Sequence, residues 1–334
     1  MKKAKKETKI IKVIGRVLFA LIISFSVIFS ALSCLYFFVK PYGIYVAGVS
    51  VNRGNQTDIL GDGTVYYDDG NNILVFDNAT IESDDPIVYS QIDLNIQLIG
   101  ENKFVCADEV YGMGVYAGDY NIAKNLAIVG EGTLIIELPN RSSESVGIFA
   151  SELTIASDVS ITVADCENMA NGIVCSSSLL IVNKATVTVN NGAAAYSSAV
   201  RVRGNALFEE GTSLNVSVSS GTTGICQGFN VSGDLFLGKD TVLNVSIDDA
   251  STDQGNCIRV SGLMDIGIGS TVTASAKNAS AIECFGSIEA NKGATVFANS
   301  DQNDADIFCS GAVVNRGAEF NGDVDAIGEI HNRE

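Results

Sequence analysis

The stretch Gly147–Val163 contains three short pieces in which apolar residues stand two apart: Ile148 and Ala150, Leu153 and Ile155, Ile161 and Val163. A period of two is the mark of a strand with one buried face. The same phrase returns about 25 residues later as Gly172-Ile173-Val174-Cys175, then Leu180, then Val187-Thr188-Val189. A unit this short cannot bury its own apolar face. Stacked copies can, because each covers the next, and a fixed internal period therefore predicts a solenoid rather than a closed globule.

Anchored on their first apolar residue, the repeats begin at Ile87, Val115, Ile148, Ile173, Val200, Ile225, Ile258, Ile282 and Ile307, spaced 24 to 33 residues apart. A second piece follows at Leu94, Leu126, Leu153, Leu180, Leu235, Leu263, Ile288 and Val313. A third follows at Phe104, Ile136, Ile161, Val189, Val216, Val245, Val272 and Val296. Each coil thus holds three strands, and equivalent strands pair in parallel. The variation in length falls almost wholly after the third strand. A left-handed helix keeps a strict hexapeptide period, so the irregularity predicts a right-handed parallel β-helix, the hand that parallel crossovers favour. The expected fold is all-β: a right-handed parallel β-helix over 82–330, with three strands per coil in about nine or ten coils, closed by capping strands in 42–81.

Ahead of the repeats, residues 1–40 carry eight Lys/Arg and one Glu. Residues 18–39 form an apolar run of about 33 Å as a helix, enough to cross a bilayer. The basic flank at 1–17 predicts a cytoplasmic tail, a single-pass transmembrane helix and an extracellular body at the cell membrane. An uncleaved anchor leads because the run continues through Leu35–Val39. A cleaved signal peptide, or a lipoprotein with Cys34 as the lipidated residue, stays open.

Beyond residue 40 the chain has 13 basic and 38 acidic residues, a net charge of −25. Such a body repels nucleic acid and other polyanions, polyuronates included, and leaves cations and neutral glycans as partners. A lone His, His331, argues against His-based nucleophilic catalysis and against a His-ligated zinc. Cys175, Cys284 and Cys309 share one inward column with Ala117, Ala150, Val202 and Val260. They read as small buried hydrophobes, and an odd count of seven beyond the apolar run argues against a disulfide framework.

The repeats resemble the pectin-lyase-like right-handed β-helix superfamily. The opening stretch, with Val46–Val51, Asp58–Asp68 and Ile73–Ile81, is similar to bacterial surface proteins labelled carbohydrate-binding-domain-containing. That resemblance spans nearly all of residues 44–325 and implies glycan or polysaccharide as a partner.

The loops after the third strands leave at one point of successive coils and should line one edge of the rod, where a ligand groove can form. They carry Tyr111, Tyr116, Tyr120 and Tyr196, whose faces suit pyranose rings, and Asp248, Asp249, Asp253, Asp301 and Asp304, which suit sugar hydroxyls. These nine are the candidate ligand-binding residues. The aspartates could also take calcium, which wants six to eight oxygens, but neither cluster has EF-hand spacing, so no metal site is assigned. Arg201 and Arg203 are the paired basic feature on the outer face. Two alternatives to glycan binding stand: a polysaccharide lyase or glycoside hydrolase using a carboxylate pair from adjacent coils, and a non-catalytic structural or protein-binding rod. No catalytic residue is assigned.

Overall fold

The computed structural model describes residues 2–107, 111–118, 121–138, 143–219, 224–248, 255–301 and 305–332. After a helix at Lys2–Val39, the regular structure of these residues is β, in one sheet of 22 strands and one of ten. Each coil gives two strands to the larger sheet and one to the smaller. The coil holding the repeat phrase runs Glu144–Ile155, then Asp158–Val163. It pairs in parallel with Tyr111–Ala117, Leu126–Gly130 and Thr133–Leu138 on one side. On the other side it pairs with Met169–Ile181 and Thr186–Asn191. The chain is a parallel β-solenoid.

Parallel stacking turns repeated positions into columns. Val115, Ile148, Ile173, Val200, Phe229, Ile258, Ile282 and Ile307 form one inward column. Leu126, Leu153, Leu179, Ala206, Leu235, Met264, Ile288 and Val313 form a second. Phe104, Ile136, Ile161, Val189, Val216 and Val245 form the third. All are buried in one continuous core, where each large aliphatic side chain stabilises the fold by roughly 1.5–3 kcal/mol relative to exposure. The inward column expected to hold Cys175, Cys284 and Cys309 is also continuous, running Ala150, Cys175, Val202, Val231, Val260, Cys284 and Cys309. The seven cysteines of the body are buried, and burial pushes the Cys175 thiol up and the Cys257 thiol up to about 12.

Four expected positions shift. Leu179 and Met264, not Leu180 and Leu263, face the core, because a run such as Leu179-Leu180-Ile181 fits a period of two in either phase. Register decides between the phases, and a slip of one residue turns every side chain over. Val88 rather than Ile87 pairs with Val115. In the sixth coil Phe229, not Ile225, continues the column; Ile225 lies four residues earlier and pairs with Tyr196.

At the N-terminal end the pairing turns antiparallel. Pro41–Val46 pairs with Val49–Asn52 and with Val88–Ser90, and Val65–Asp68 pairs with Ile73–Asp77. These hairpins cover the first coil and its otherwise open sheet edge. In the helix, Arg16–Ser33 has a mean hydropathy of 2.1 and no buried residue. It is long and apolar enough to cross a membrane, a test that a signal sequence also meets.

One local feature shapes the outer surface. In a straight strand, residues three apart point to opposite faces. Here Val146 and Phe149 pack together on the outside while Ile148 lies in the core. The strand therefore turns a corner at Gly147, whose missing side chain would point inward, 2.6 Å from Ile161 Cγ2 and 2.5 Å from the Gly172 carbonyl oxygen. Gly114, Gly172 and Gly228 hold the equivalent place in their coils. A corner that sends two rows of side chains outward on converging directions makes a groove along the rod.

Candidate functional site

The first outward row beside the corner runs Met113, Val146, Asn171, Ser198, Gln227, Asn256. The second runs Tyr89, Tyr116, Phe149, Val174, Arg201, Asn230, Arg259. Flanking the first row are Glu144, Met169, Tyr196 and Ile225. The groove changes character along its length. Toward the N-terminal coils it is apolar: Tyr116 stacks on Phe149 with ring centroids 4.6 Å apart, and Val146 and Val174 pack beside them. Further along it is lined by amides and hydroxyls. Gln227 Oε1 accepts from the Tyr196 hydroxyl at 3.3 Å and from Asn230 Nδ2 at 2.9 Å, which ties the two rows together.

A cavity of 210 Å³ sits where the two characters meet. Its apolar surface comes from Phe149, Met169 and Val174, and its polar surface from Glu144, Asn171, Ser176, Arg201 and Arg203. Asn171 is 3% exposed, yet its Oδ1 has no hydrogen-bond partner, and neither has Ser198 Oγ in the next coil. Leaving a buried acceptor unpaired costs about 1–3 kcal/mol, so these two oxygens point to a donor that the folded chain does not supply. Arg201 and Arg203 make no ion pair and no side-chain hydrogen bond with the described residues. Some cations elsewhere are paired, Lys103 with Glu137 at 2.9 Å, Lys239 with Glu210 at 2.9 Å and Arg316 with Glu289 at 2.7 Å, while Arg259, further along the second row, lies over the Phe285 ring.

Of the nine sequence candidates, five lie among the described residues, in three places. Tyr196 lies half-buried on the flank of the groove, and the Tyr111 backbone pairs with Glu144 on the same flank. Tyr116 lies in the groove wall rather than a loop. Stacked on Phe149 and 5% exposed, it braces the wall instead of presenting a free ring face. Asp248 and Asp301 line a separate 340 Å³ hollow at the ends of the ten-stranded sheet, on coils separated by the one bearing Lys277. Asp301 Oδ1 accepts from the Asn278 amide at 2.6 Å and so braces a turn. Tyr120, Asp249, Asp253 and Asp304 lie outside the described residues. Among the described residues no group of three His, Cys, Asp or Glu is placed to hold a metal ion, and Asp248 and Asp301 alone fall short of a calcium shell.

Two further constellations are satisfied internally. On the ten-stranded sheet, a 280 Å³ hollow is lined by Thr188, Asn215, Asn244 and Thr273, but Asn244 Nδ2 donates to Asn215 Oδ1 at 2.9 Å. Asp265 and Glu289 stand side by side on adjacent coils, a placement from which a carboxylate pair could be drawn. Asn291 donates to Asp265 at 3.0 Å and Arg316 holds Glu289, so both carboxylates serve the surface network. The groove residues Phe149, Asn171, Val174, Ser198 and Gln227 were not singled out from the sequence, although reading two places before each anchor would have exposed the row Val146, Asn171, Ser198.

Comparison with protein-family models, with curated proteins and with solved structures finds no match. The site stands on its own geometry.

Proposed function

We propose that this protein is a carbohydrate-binding β-solenoid, anchored by its N-terminal helix and displayed outside the cytoplasmic membrane. The observation that carries the reading is the row Asn171, Ser198, Gln227 and Asn256: four amide or hydroxyl side chains, on the outward side of a corner, buried and only partly satisfied. Polyhydroxylated ligands offer the alternating donors and acceptors that such a row lacks, and the adjoining Phe149, Met169 and Val174 offer apolar surface to a pyranose face. The N-terminal basic flank and apolar helix support display on the outer side. The likeness of the repeats to pectin-lyase-like helices and of residues 44–81 to carbohydrate-binding surface proteins is consistent with it. A glycan array probed with the full chain in lipid nanodiscs tests the reading. Binding to a defined glycan subset is expected, and an array blank at high glycan density would refute it in favour of a structural rod.

A further inference from the structure

From the cavity beside the corner, we infer that the groove selects a glycan end bearing one carboxylate and an acylamino group, an N-acylated sugar acid. The inference rests on the carbohydrate-binding reading and adds the ligand's chemistry to it. Four observations converge. First, Arg201 and Arg203 both line the cavity, and neither makes an ion pair with a described residue. Guanidinium forks match carboxylates bidentately, and such charge-assisted bonds are about twice as strong as neutral ones. Second, the one carboxylate on the cavity, Glu144, belongs to the coil before Met169, whereas Arg201 belongs to the coil after it. Two coil steps set their backbones about 9.6 Å apart, and Glu144 is ion-paired with neither guanidinium, which leaves it available to sugar hydroxyls.

Third, Asn171 Oδ1 is buried and unpartnered at the cavity, and an acceptor in a dry site calls for an N–H or O–H donor from the ligand. Fourth, Phe149, Val174 and Met169 provide apolar surface within the same 210 Å³, fitting a ring face or an acyl methyl. The acidity of the body limits the ligand to low charge. A chain of uronates or a polysulfate would be repelled by the net −25 of residues 41–334, while a single carboxylate meets two local cations within a Debye length.

The test is isothermal titration of the full chain in lipid nanodiscs with N-acetylneuraminic acid and N-acetylmuramic acid, which share the chemistry and come from different sources. N-acetylglucosamine, lacking the carboxylate, and glucuronic acid, lacking the acylamino group, are the comparisons. At least one N-acylated acid should bind about 10-fold more tightly than either comparison, a difference of about 1.4 kcal/mol. Arg201→Gln/Arg203→Gln should abolish that preference. Arg201→Lys/Arg203→Lys, which keeps the charge, should restore part of it. Asn171→Val should weaken the N-acylated acid and leave glucuronic acid unchanged, with unaltered circular dichroism in each variant. If neither acid binds, or if the Gln pair leaves the preference intact, the inference is overturned. A positive array for neutral glycans alongside either result would leave the carbohydrate-binding reading standing.

Discussion

The corner that creates the groove makes a quantitative claim about packing. Across the interior from Gly147 lies Ile161, and an added methyl at 147 would sit 2.6 Å from Ile161 Cγ2, where ordinary contact begins at 3.4 Å. Gly147→Ala therefore forces a displacement of about 1 Å in a dense core, which costs about 1–3 kcal/mol. Ile161→Ala opens a cavity in its place, at about 2–5 kcal/mol. The two changes should add only in part, because the new methyl enters the space that Ile161 vacates while its 2.5 Å approach to the Gly172 carbonyl oxygen remains. The double variant should be more stable than the sum by roughly 1–2 kcal/mol, within the range for contacting residues. The last coils of the fold contain this exchange, although Ala199 stands opposite Val216 in the fifth. Where the corner carries Cys257 or Ala281, the register places Ala274 or Ala298 on the third strand; where it is Gly172 or Gly228, the third strand carries Val189 or Val245. Urea denaturation of the four proteins in nanodiscs, followed by far-ultraviolet circular dichroism, measures the coupling. Additivity within about 0.5 kcal/mol would refute the idea that corner and third strand share one volume.

Two other predictions follow from burial. Cys257 is fully buried, its thiol donates to the Ser275 carbonyl at 3.0 Å, and its pKa is pushed up to about 12; iodoacetamide at neutral pH should label it only after denaturation, and rapid labelling of the native protein by mass spectrometry would contradict the packing. Burial raises the Asp265 carboxyl above its ordinary 3.8, the Asn291 hydrogen bond and Arg316 opposing and Glu289 adding to the rise. The folded state then holds that proton to higher pH than the unfolded state does, so its contribution to stability falls as pH rises from 3.8 through the raised value. From about pH 3.5 to 6 the melting temperature of Asp265→Asn should fall less, or rise more, than that of the parent, and parallel curves would contradict the assignment.

Much of the scaffold was legible because its cause is local. Residues two apart, such as Leu153 and Ile155, announce a strand with one buried face whatever surrounds them, and their return at a near-constant interval announces stacking. Legibility failed where the local pattern is degenerate. Leu179-Leu180-Ile181 satisfies either phase, and only pairing with Leu153 and Ala206 puts Leu179 inside. The choice of Ile225 over Phe229 had a larger consequence. It displaced the sixth coil by four residues and so hid Gln227, whose amide stands in line with Ser198 and Asn256.

The amino-acid sequence by itself determined the parallel three-strand coil, the inward cysteines, the apolar N-terminal helix and the outward direction of Arg201 and Arg203, because each follows from periodicity or composition along the chain. Only the tertiary structure decided where chemistry collects. Glu144, Phe149, Asn171, Val174, Arg201 and Arg203 come from three coils, and they meet because a corner at a small residue, Gly147, Gly172 or Ala199, turns each coil at the same place. Convergence across coils is a property of register and curvature, which no stretch of the chain encodes alone.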